Sequence, residues 1–255
     1  MSTSARVRQG RILELAHTSG LASVEELSER FDVTASTIRR DLSRLTAEGK
    51  IARTYGGAMA LNGQVVESTF RQRNKQSTAA KRAIGRTARG LVKPGQSILL
   101  DSGSTVASLA HELRDARSLM VATTSLVVLE ELSEVEEIHV ECLGGTLRHS
   151  SAGFVGPLAE YCLERMTFDT VFLGADGVSP EAICEADLVQ TRLKEMMCSR
   201  AGEVIVLADS SKLNHAPFHA WAKLPENWTL ITDAAATESQ LEPFRNAGVK
   251  TRIAV

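Results

Sequence analysis

The amino-acid sequence predicts a small α+β domain followed by a larger α/β domain with a mostly parallel sheet. Two observations support this prediction. The first 60 residues hold three short amphipathic helical patterns and a hairpin pattern, and from residue 79 apolar strand-like runs alternate with helical patterns. We therefore expect one domain at 1–60, a linker at 61–78 and a second domain at 79–255. With 43% hydrophobic residues, the chain has enough apolar side chains for two cores.

Apolar spacing and capping residues delimit three helices in the first domain. The first helix spans residues 6–18, and Ser23 begins the second because its hydroxyl and the Glu26 carboxylate fit a capping box. Thr34 begins the third helix after a tight connection, and Gly49 ends it. Three short helices with a tight turn before the last one are typical of a helix-turn-helix.

The third helix has an apolar side and a basic side. At about 100° per residue, Ile38, Leu42 and Leu45 share the inward side. Asp41 lies toward the apolar edge, where we expect a structural ion pair with a neighbouring arginine. The outward side presents arginine and hydroxyl groups, which suit the major groove of DNA because arginine contacts guanine there. The alternative is that these arginines only solvate an exposed helix.

A hairpin pattern follows the third helix, with a short alternating strand from Ile51 and a turn at Gly56-Gly57. We interpret it as the wing of a winged helix-turn-helix. Arg53 is placed to reach backbone phosphates, whereas Tyr55 either contacts a sugar or, as we favour, packs under the hairpin. The residues expected to contact double-stranded DNA are Ser36, Thr37, Arg39, Arg40, Ser43, Arg44 and Arg53.

Charge is distributed unevenly along the chain. Residues 1–90 carry 16 Lys or Arg against 8 Asp or Glu, and residues 91–255 carry 13 against 23. A basic N-terminal segment suits phosphate neutralisation on DNA, and an acidic remainder is repelled by it. The alternative is a chance asymmetry of solvated surfaces.

Several classes of protein have no support in the sequence. No apolar run fits a signal peptide or approaches the roughly 18 residues of a membrane span, so we expect a cytoplasmic protein without a membrane partner. The absence of HExxH, GxSxG and GxGxxG motifs leaves metalloprotease, hydrolase and dehydrogenase functions unsupported, and we expect neither a metal nor a cofactor. Single cysteines favour reduced packing thiols over disulfides; they are Cys142, Cys162, Cys184 and Cys198.

The second domain is predicted as a parallel sheet with helices on its faces. The expected strands are 97–100, 120–122, 139–143, 171–173, 204–207, 229–231 and 251–254. Ligands of such sheets collect at the carboxyl ends of the strands, where loops lead into helices. Several of these loops here carry glycine, hydroxyl and charged residues, so we expect a ligand site at that edge.

The loop Asp101–Thr105 is the strongest candidate. It joins a strand to a helix, its glycine permits close backbone approach, and the helix N-terminus offers free amides to a phosphate. The other polar residues have alternatives as helix caps, turns or surface ion pairs. The expected ligand-binding residues are Asp101, Ser102, Gly103, Ser104, Thr105, Thr124, Ser125, Gly145, Asp176, Glu185, Lys194 and Lys212.

Four motifs in this order resemble those of the DeoR family of bacterial transcriptional regulators: Thr37–Leu42, Tyr55–Ala58, Asp101–Thr105 and Ala208–Lys212. The resemblance extends from about residue 6 to the end of the chain. It implies a repressor of a sugar or sugar-derivative catabolic operon that a phosphorylated sugar releases from DNA. It also implies a homodimer or homotetramer, and a second domain with a fold like that of ribose-5-phosphate isomerase.

The isomerase fold raises an enzymatic alternative. The resemblance implies an Asp-Gly-Ala-Asp-Glu segment and a lysine in a glycine-rich stretch, but here Leu173 and Gly177 replace the outer acids and the lysine stretch is absent. Isomerisation needs a positioned acid and base, so binding without turnover is favoured. A sugar-phosphate isomerase with an accessory domain, and a regulatory subunit that binds protein, are the alternatives. Thr124 departs from the family, where asparagine is common.

Overall fold

A computed structural model of the chain describes residues 5–18, 23–47, 51–54, 57–60 and 67–255. The chain divides into two compact units. The first comprises Met1–Val66 with His215–Phe218, and the second comprises Glu67–Asn214 with His219–Val255. Within the described ranges, no helix is both long enough and apolar enough to cross a membrane.

In its described ranges, the first unit contains three helices and a two-stranded hairpin, as the sequence predicts. Their bounds are Ala5–Thr18 for α1, Val24–Phe31 for α2, Ala35–Ala47 for α3, Ile51–Thr54 for β1 and Gly57–Ala60 for β2. The hydroxyl of Ser23 caps α2 by accepting a hydrogen bond from the backbone N–H of Glu26 at 3.0 Å. The inward side of α3 is buried in a core that consists of Ile12, Leu27, Ile38, Leu42, Leu45 and Ile51.

The hairpin differs from expectation in where its second strand begins. Gly57, expected in the turn, is the first residue of β2 and pairs with Thr54. Tyr55 and Gly56 lie outside the described residues, as does the expected helix stop at Gly49. The antiparallel pairing of β1 with β2 supports the wing interpretation.

A buried ion pair joins α3 to α1. Asp41 is 5% exposed and accepts hydrogen bonds from Arg8 Nε at 2.6 Å and from Gln9 Nε2 at 2.7 Å. The expected structural ion pair of Asp41 is therefore confirmed. Its partner comes from α1 rather than from α3, because the side of α3 that carries Asp41 faces the core.

The boundary between the units changes the assignment of the basic charge in the first 90 residues. Residues 1–66 carry 9 Lys or Arg against 7 Asp or Glu, whereas residues 67–90 carry 7 against 1. Most of the basic excess of the first 90 residues therefore belongs to the second unit. The first unit is only slightly basic, so contacts with DNA depend on where α3 presents its arginines rather than on net charge.

The second unit alternates strands and helices. Its helices are α4 (Phe70–Lys75), α5 (Thr78–Arg89), α6 (Ser104–Glu112), α7 (Leu126–Leu132), α8 (Pro157–Leu163), α9 (Leu188–Ser199) and α10 (Glu238–Asn246). Its strands are β3 (Ser97–Leu100), β4 (Leu119–Thr123), β5 (Ile138–Cys142), β6 (Thr146–Arg148), β7 (Gly153–Val155), β8 (Phe168–Leu173), β9 (Gly177–Val178), β10 (Ala182–Glu185), β11 (Ala201–Leu207), β12 (Ala220–Lys223), β13 (Thr229–Asp233) and β14 (Lys250–Ala254).

Seven strands form one parallel sheet in the order β14-β13-β11-β8-β3-β4-β5, which confirms the predicted sheet. The chain runs outward from β3 through β4 to β5 and then returns to β8 on the other side of β3. The strand order therefore reverses between β3 and β8. At such a point the loops that follow neighbouring strands diverge and leave an open crevice.

Helices bury both faces of this sheet. Successive side chains of a strand point to opposite faces and so enter different cores. In β8, Val171 and Leu173 pack into one core with α8, α9 and α10. Phe172, between them, packs into a second core with α5, α6 and α7. The two layers of helices hold the carboxyl edge of the sheet in place.

Several short elements were not predicted. β9, β10 and β12 form an antiparallel sheet, and β6 pairs with β7 in a hairpin. These strands have two to four residues, too few for a period-two pattern to stand out. Within the stretch 61–78, expected to be a linker, α4 is helical and begins with a capping box between Thr69 and Gln72. Its polar composition gave no amphipathic signal.

Replacing Asp41 with Ala should lower the free energy of unfolding of the first unit by about 3 kcal/mol, because it removes the carboxylate partner of a buried guanidinium. Denaturant unfolding followed by circular dichroism measures the loss. Glu29→Ala on the exposed side of α2 is the control. The double variant Arg8→Leu with Asp41→Leu should recover most of the loss, and a loss equal to that of Glu29→Ala would contradict the role of the pair.

Candidate functional site

The outward side of α3 is the candidate nucleic-acid surface. Thr34 caps this helix, since its hydroxyl oxygen accepts a hydrogen bond from the backbone N–H of Thr37 at 3.3 Å. The Ser43 hydroxyl donates to the backbone carbonyl of Arg39 at 2.7 Å. Arg53 lies in β1, and its side chain is outside the described residues. The expected contacts that are exposed are Ser36, Arg39, Arg40, Ser43 and Arg44, while Thr37 is half-buried.

A polar cleft of about 580 Å³ lies in the second unit at the carboxyl ends of β3, β8 and β11. This is the edge that the sequence predicts, at the reversal of strand order between β3 and β8. The lining residues are Arg73, Gln76, Ser77, Lys81, Ser102, Gly103, Ser104, Thr105, Ser151, Gly174, Ala175, Asp176, Glu185, Gln190, Lys194, Asp209, Ser211 and Lys212. Expected residues from three separate loops thus meet in one place, together with Glu185 of β10 and Lys194 of α9.

The floor of the cleft is a buried ion cluster around Lys194, which is 1% exposed. The Lys194 ammonium lies 3.0 Å from Asp101 Oδ2 and donates to the carbonyl oxygen of Gly174 at 2.7 Å. It also donates to Glu185. Asp101 Oδ2 additionally accepts from the backbone N–H of Gly174 at 3.1 Å. The ammonium therefore donates two hydrogen bonds and forms an ion pair with Asp101.

The same cluster shifts the pKa values of its members. Burial raises the pKa of Glu185 to about 8, and the nearby Asp176 and Asp101 act in the same direction against the attraction of Lys194. Burial alone would lower the pKa of Lys194, but Asp101 and Glu185 outweigh it and raise that pKa. Asp101 and Glu185 therefore hold Lys194 in its charged form, in which it is not available as a base.

Two helix N-termini that no side chain caps face the cleft. Ser77 precedes α5 and Gly103 precedes α6, and neither makes a side-chain cap hydrogen bond. Gly103 has φ +132°, a conformation that only glycine adopts without strain. In the same unit, the helices α4, α7, α9 and α10 are capped by side chains, whereas α8, none of whose residues line the cleft, also lacks a side-chain cap. The backbone N–H groups at the start of α5 and α6 are thus available to an anion.

Cations that were not expected to bind a ligand lie beside these helix termini. Lys81 on α5 donates to the carbonyl oxygens of Arg73 and of Gln76, the latter at 2.8 Å. Burial lowers the pKa of Lys81 to about 8, as do the neighbouring Lys212 and Arg73, while Asp209 opposes the shift. Both Arg73 and Lys81 come from the strongly basic stretch 67–90. That local charge excess is the sequence signal that could have identified them.

Four expected residues do not line the cleft: Asp101, which lies in the ion cluster at its floor, and Thr124, Ser125 and Gly145. The backbone carbonyl of Thr124 accepts from Phe154 N–H at 2.6 Å, and Ser125 caps α7 by accepting from Val128 N–H at 3.3 Å. Gly145 has φ +118°, and a side chain there would meet the Val155 carbonyl oxygen at 2.6 Å. These positions fix the β6-β7 hairpin and the start of α7 instead. Glycine and hydroxyl residues suit turns and caps as well as ligands, and the sequence does not separate the two uses.

Comparison with protein families matches most of the chain to two models. Residues 8–64 match a DeoR-like helix-turn-helix domain, and residues 76–234 match a DeoR C terminal sensor domain.

Relatives of known name cover nearly the whole chain. The HTH-type transcriptional regulator GlpR of Haloferax volcanii is 35% identical over 95% of this chain and 95% of its own length. The lactose phosphotransferase system repressor of Lactococcus lactis is 31% identical over 93% of this chain and 94% of its own. Among solved structures, ribose 5-phosphate isomerase A of Methanocaldococcus jannaschii has a TM-score of 0.40 at 23% identity, over 54% of this chain and 55% of that one.

Replacing Lys194 with Met should lower the free energy of unfolding of the second unit by about 3–5 kcal/mol, because two buried carboxylates lose their counter-ion. Thermal and denaturant unfolding of the full chain measure the loss. Lys212→Met in the same cleft is the matched control and should stay within about 0.5 kcal/mol of the wild type. Adding Glu185→Gln to Lys194→Met should recover part of the stability. Equal stability of the two lysine variants would rule out the counter-ion role.

Proposed function

Because the chain belongs to the DeoR family of transcriptional regulators, we propose that it is a DNA-binding repressor of a sugar or sugar-derivative catabolic operon. We further propose that a phosphorylated sugar in the cleft of the second unit releases the repressor from DNA. The single observation that carries the proposal is the convergence of two uncapped helix N-termini and two lysines in a cleft that also holds buried carboxylates. A phosphate and a set of hydroxyl groups together match that chemistry.

The phosphate end of the ligand is assigned to the starts of α5 and α6. Free backbone N–H groups and the positive end of the helix dipole favour an anion there. Lys81 and Lys212 add two ammonium groups, which makes the phosphate hydrogen bonds charge-assisted. The charges that act on Lys81 are Lys212 and Arg73 against Asp209, so this part of the cleft has a net excess of cations.

The sugar end of the ligand is assigned to the other polar residues of the cleft. Asp176 offers carboxylate oxygens to sugar hydroxyls, and Gln190 and Ser151 offer both donors and acceptors. Asp176 and Gln190 are buried, so they hold a fixed geometry before a ligand arrives. A few fixed polar groups of this kind provide specificity in small-molecule sites.

Binding without turnover is the function that the cluster at the floor of the cleft supports. The Lys194 ammonium is engaged by Asp101, Glu185 and Gly174. An isomerase needs an acid and a base that exchange protons with the substrate. A lysine held as the counter-ion of two carboxylates contributes charge balance instead.

The proposed binding to DNA depends on the exposed side of α3. Its exposed Arg39 and Arg40, with Ser36 on the same side, suit the base edges of the major groove. A helix-turn-helix protein commonly reads two half-sites as a dimer, so we propose that copies of the chain act as a homodimer or homotetramer. The ligand then shifts the equilibrium toward an arrangement that no longer fits both half-sites.

The test is fluorescence anisotropy on duplexes from the region upstream of the gene, with and without a panel of aldose and ketose phosphates. We expect specific binding that one sugar phosphate abolishes. Arg40→Ala should weaken binding by roughly 1–3 kcal/mol, while Arg252→Ala on the exposed surface of β14 should not. Lys212→Met should keep DNA affinity and lose the response to the sugar phosphate. Turnover of a sugar phosphate without specific DNA binding would overturn the proposal in favour of an isomerase.

Affinity for the sugar phosphate should fall as the pH rises above about 8, since Lys81 then loses its proton. The ligand phosphate is already a dianion because its second pKa is about 6, so the loss should approach tenfold per pH unit at most. Isothermal titration calorimetry across this pH range measures it. Lys81→Met should flatten the profile, whereas Glu185→Gln, which removes the other group that titrates near this pH, should preserve it. A steep profile in Lys81→Met would refute the assignment.

A further inference from the structure

One guanidinium in the cleft is shared between two carboxylates. Arg73 Nη1 lies 3.0 Å from Glu67 Oε1 and 3.5 Å from Asp176 Oδ1. Arg73 Nη2 donates to the backbone carbonyl of Ser150 at 3.1 Å. Asp176 and Arg73 line the cleft, whereas Glu67 is not among the lining residues. Arg73 therefore connects the cleft to a carboxylate behind its wall.

Glu67 is the residue at which the chain enters the second unit. Besides Arg73, it accepts hydrogen bonds from Arg148, whose Nη1 lies 2.8 Å from Glu67 Oε1. Burial raises the pKa of Glu67, but Arg148 and Arg73 outweigh it and hold that pKa below its ordinary value. Arg148 Nε also lies 3.8 Å from Oδ2 of Asp187, the residue that caps α9. Glu67 is thus a charged carboxylate clamped between two arginines.

We propose that an anionic ligand in the cleft and Glu67 compete for the guanidinium of Arg73, which makes Arg73 a ligand-binding residue and Glu67 a built-in antagonist of the ligand. The inference rests on the proposed function and deepens it. A phosphate dianion carries more charge than a carboxylate, and arginine binds it through two parallel N–H groups. When Arg73 turns to the ligand, Glu67 keeps only Arg148, and the entry point of the chain is held less firmly.

Thermodynamic linkage fixes the sign of this effect. If the ligand weakens the hold of Arg73 on Glu67, then Glu67 weakens the binding of the ligand by the same factor. Removing the charge of Glu67 should therefore tighten ligand binding, although Glu67 does not touch the ligand. A residue with a merely structural role would not produce tighter binding when it is replaced. The direction of the change is thus diagnostic.

The experiment measures the affinity of the full chain for inorganic phosphate, at constant ionic strength, from the ligand-induced rise in melting temperature. Glu67→Gln should tighten binding about fivefold, and Arg73→Gln should weaken it about tenfold. In the Arg73→Gln background, Glu67→Gln should have no further effect, because the two residues act through one contact. The matched control is Glu238→Gln, which breaks an exposed ion pair with Arg245 and should leave the affinity unchanged.

A second variant keeps the inference testable if Glu67→Gln folds poorly. Arg148→Gln removes the other partner of Glu67, so Glu67 should hold Arg73 more strongly and phosphate binding should weaken. Unchanged affinity in Glu67→Gln, with weakened binding in Arg73→Gln, would overturn the competition and leave the proposed function intact. A wild-type protein that binds no phosphate would overturn both. Opposite shifts in Glu67→Gln and Arg148→Gln support the competition.

Discussion

The second unit depends on one buried ammonium group. Lys194 from α9 binds Asp101 after β3, Gly174 after β8 and Glu185 at the end of β10. Four elements of the second unit therefore meet at one charge. The carboxyl edge of a parallel sheet exposes polar groups where the strands end, and at the reversal between β3 and β8 these groups are buried. The ammonium offsets their negative charge and so permits a polar floor inside the fold.

The cations of the cleft consequently have different roles. Lys194 is occupied by protein groups, whereas Lys81 and Lys212 lie beside the uncapped starts of α5 and α6. An anion consequently meets attraction at the helix termini and repulsion from the acidic residues of the floor. The cleft thus orients a ligand that has one charged end and one hydroxyl-bearing end. This polarity is a property of the fold, since the winding of the sheet brings the two helix termini to the same edge.

The two units use arginine differently. On α3 the arginines are exposed on the side of the helix away from the core, with Asp41 buried on the opposite side against Arg8. In the second unit, Arg73 and Arg148 are mostly buried and clamp Glu67. Exposed arginines suit a flexible, hydrated partner such as DNA, and buried arginines suit a fixed network whose balance a single bound anion changes. The net charge of a long segment does not distinguish these uses, which is why the basic excess of residues 1–90 was assigned to the wrong unit.

By itself, the sequence determined the helices of the first unit, the inward side of α3, the seven strands of the parallel sheet and the edge that holds the cleft. These features follow from the local spacing of apolar residues along the chain. Ile38, Leu42 and Leu45, for example, share one side of α3 whatever that side packs against. Only the tertiary structure decided which polar loops meet. Thr124 and Gly145 resemble Ser102 and Gly103 in type but stabilise a hairpin, while Arg73 enters the cleft from the stretch expected to be a linker and Lys81 from the helix that follows it. The physical reason is that a polar side chain takes its role from the partners that long-range packing brings within a few ångströms, and no local pattern encodes those partners.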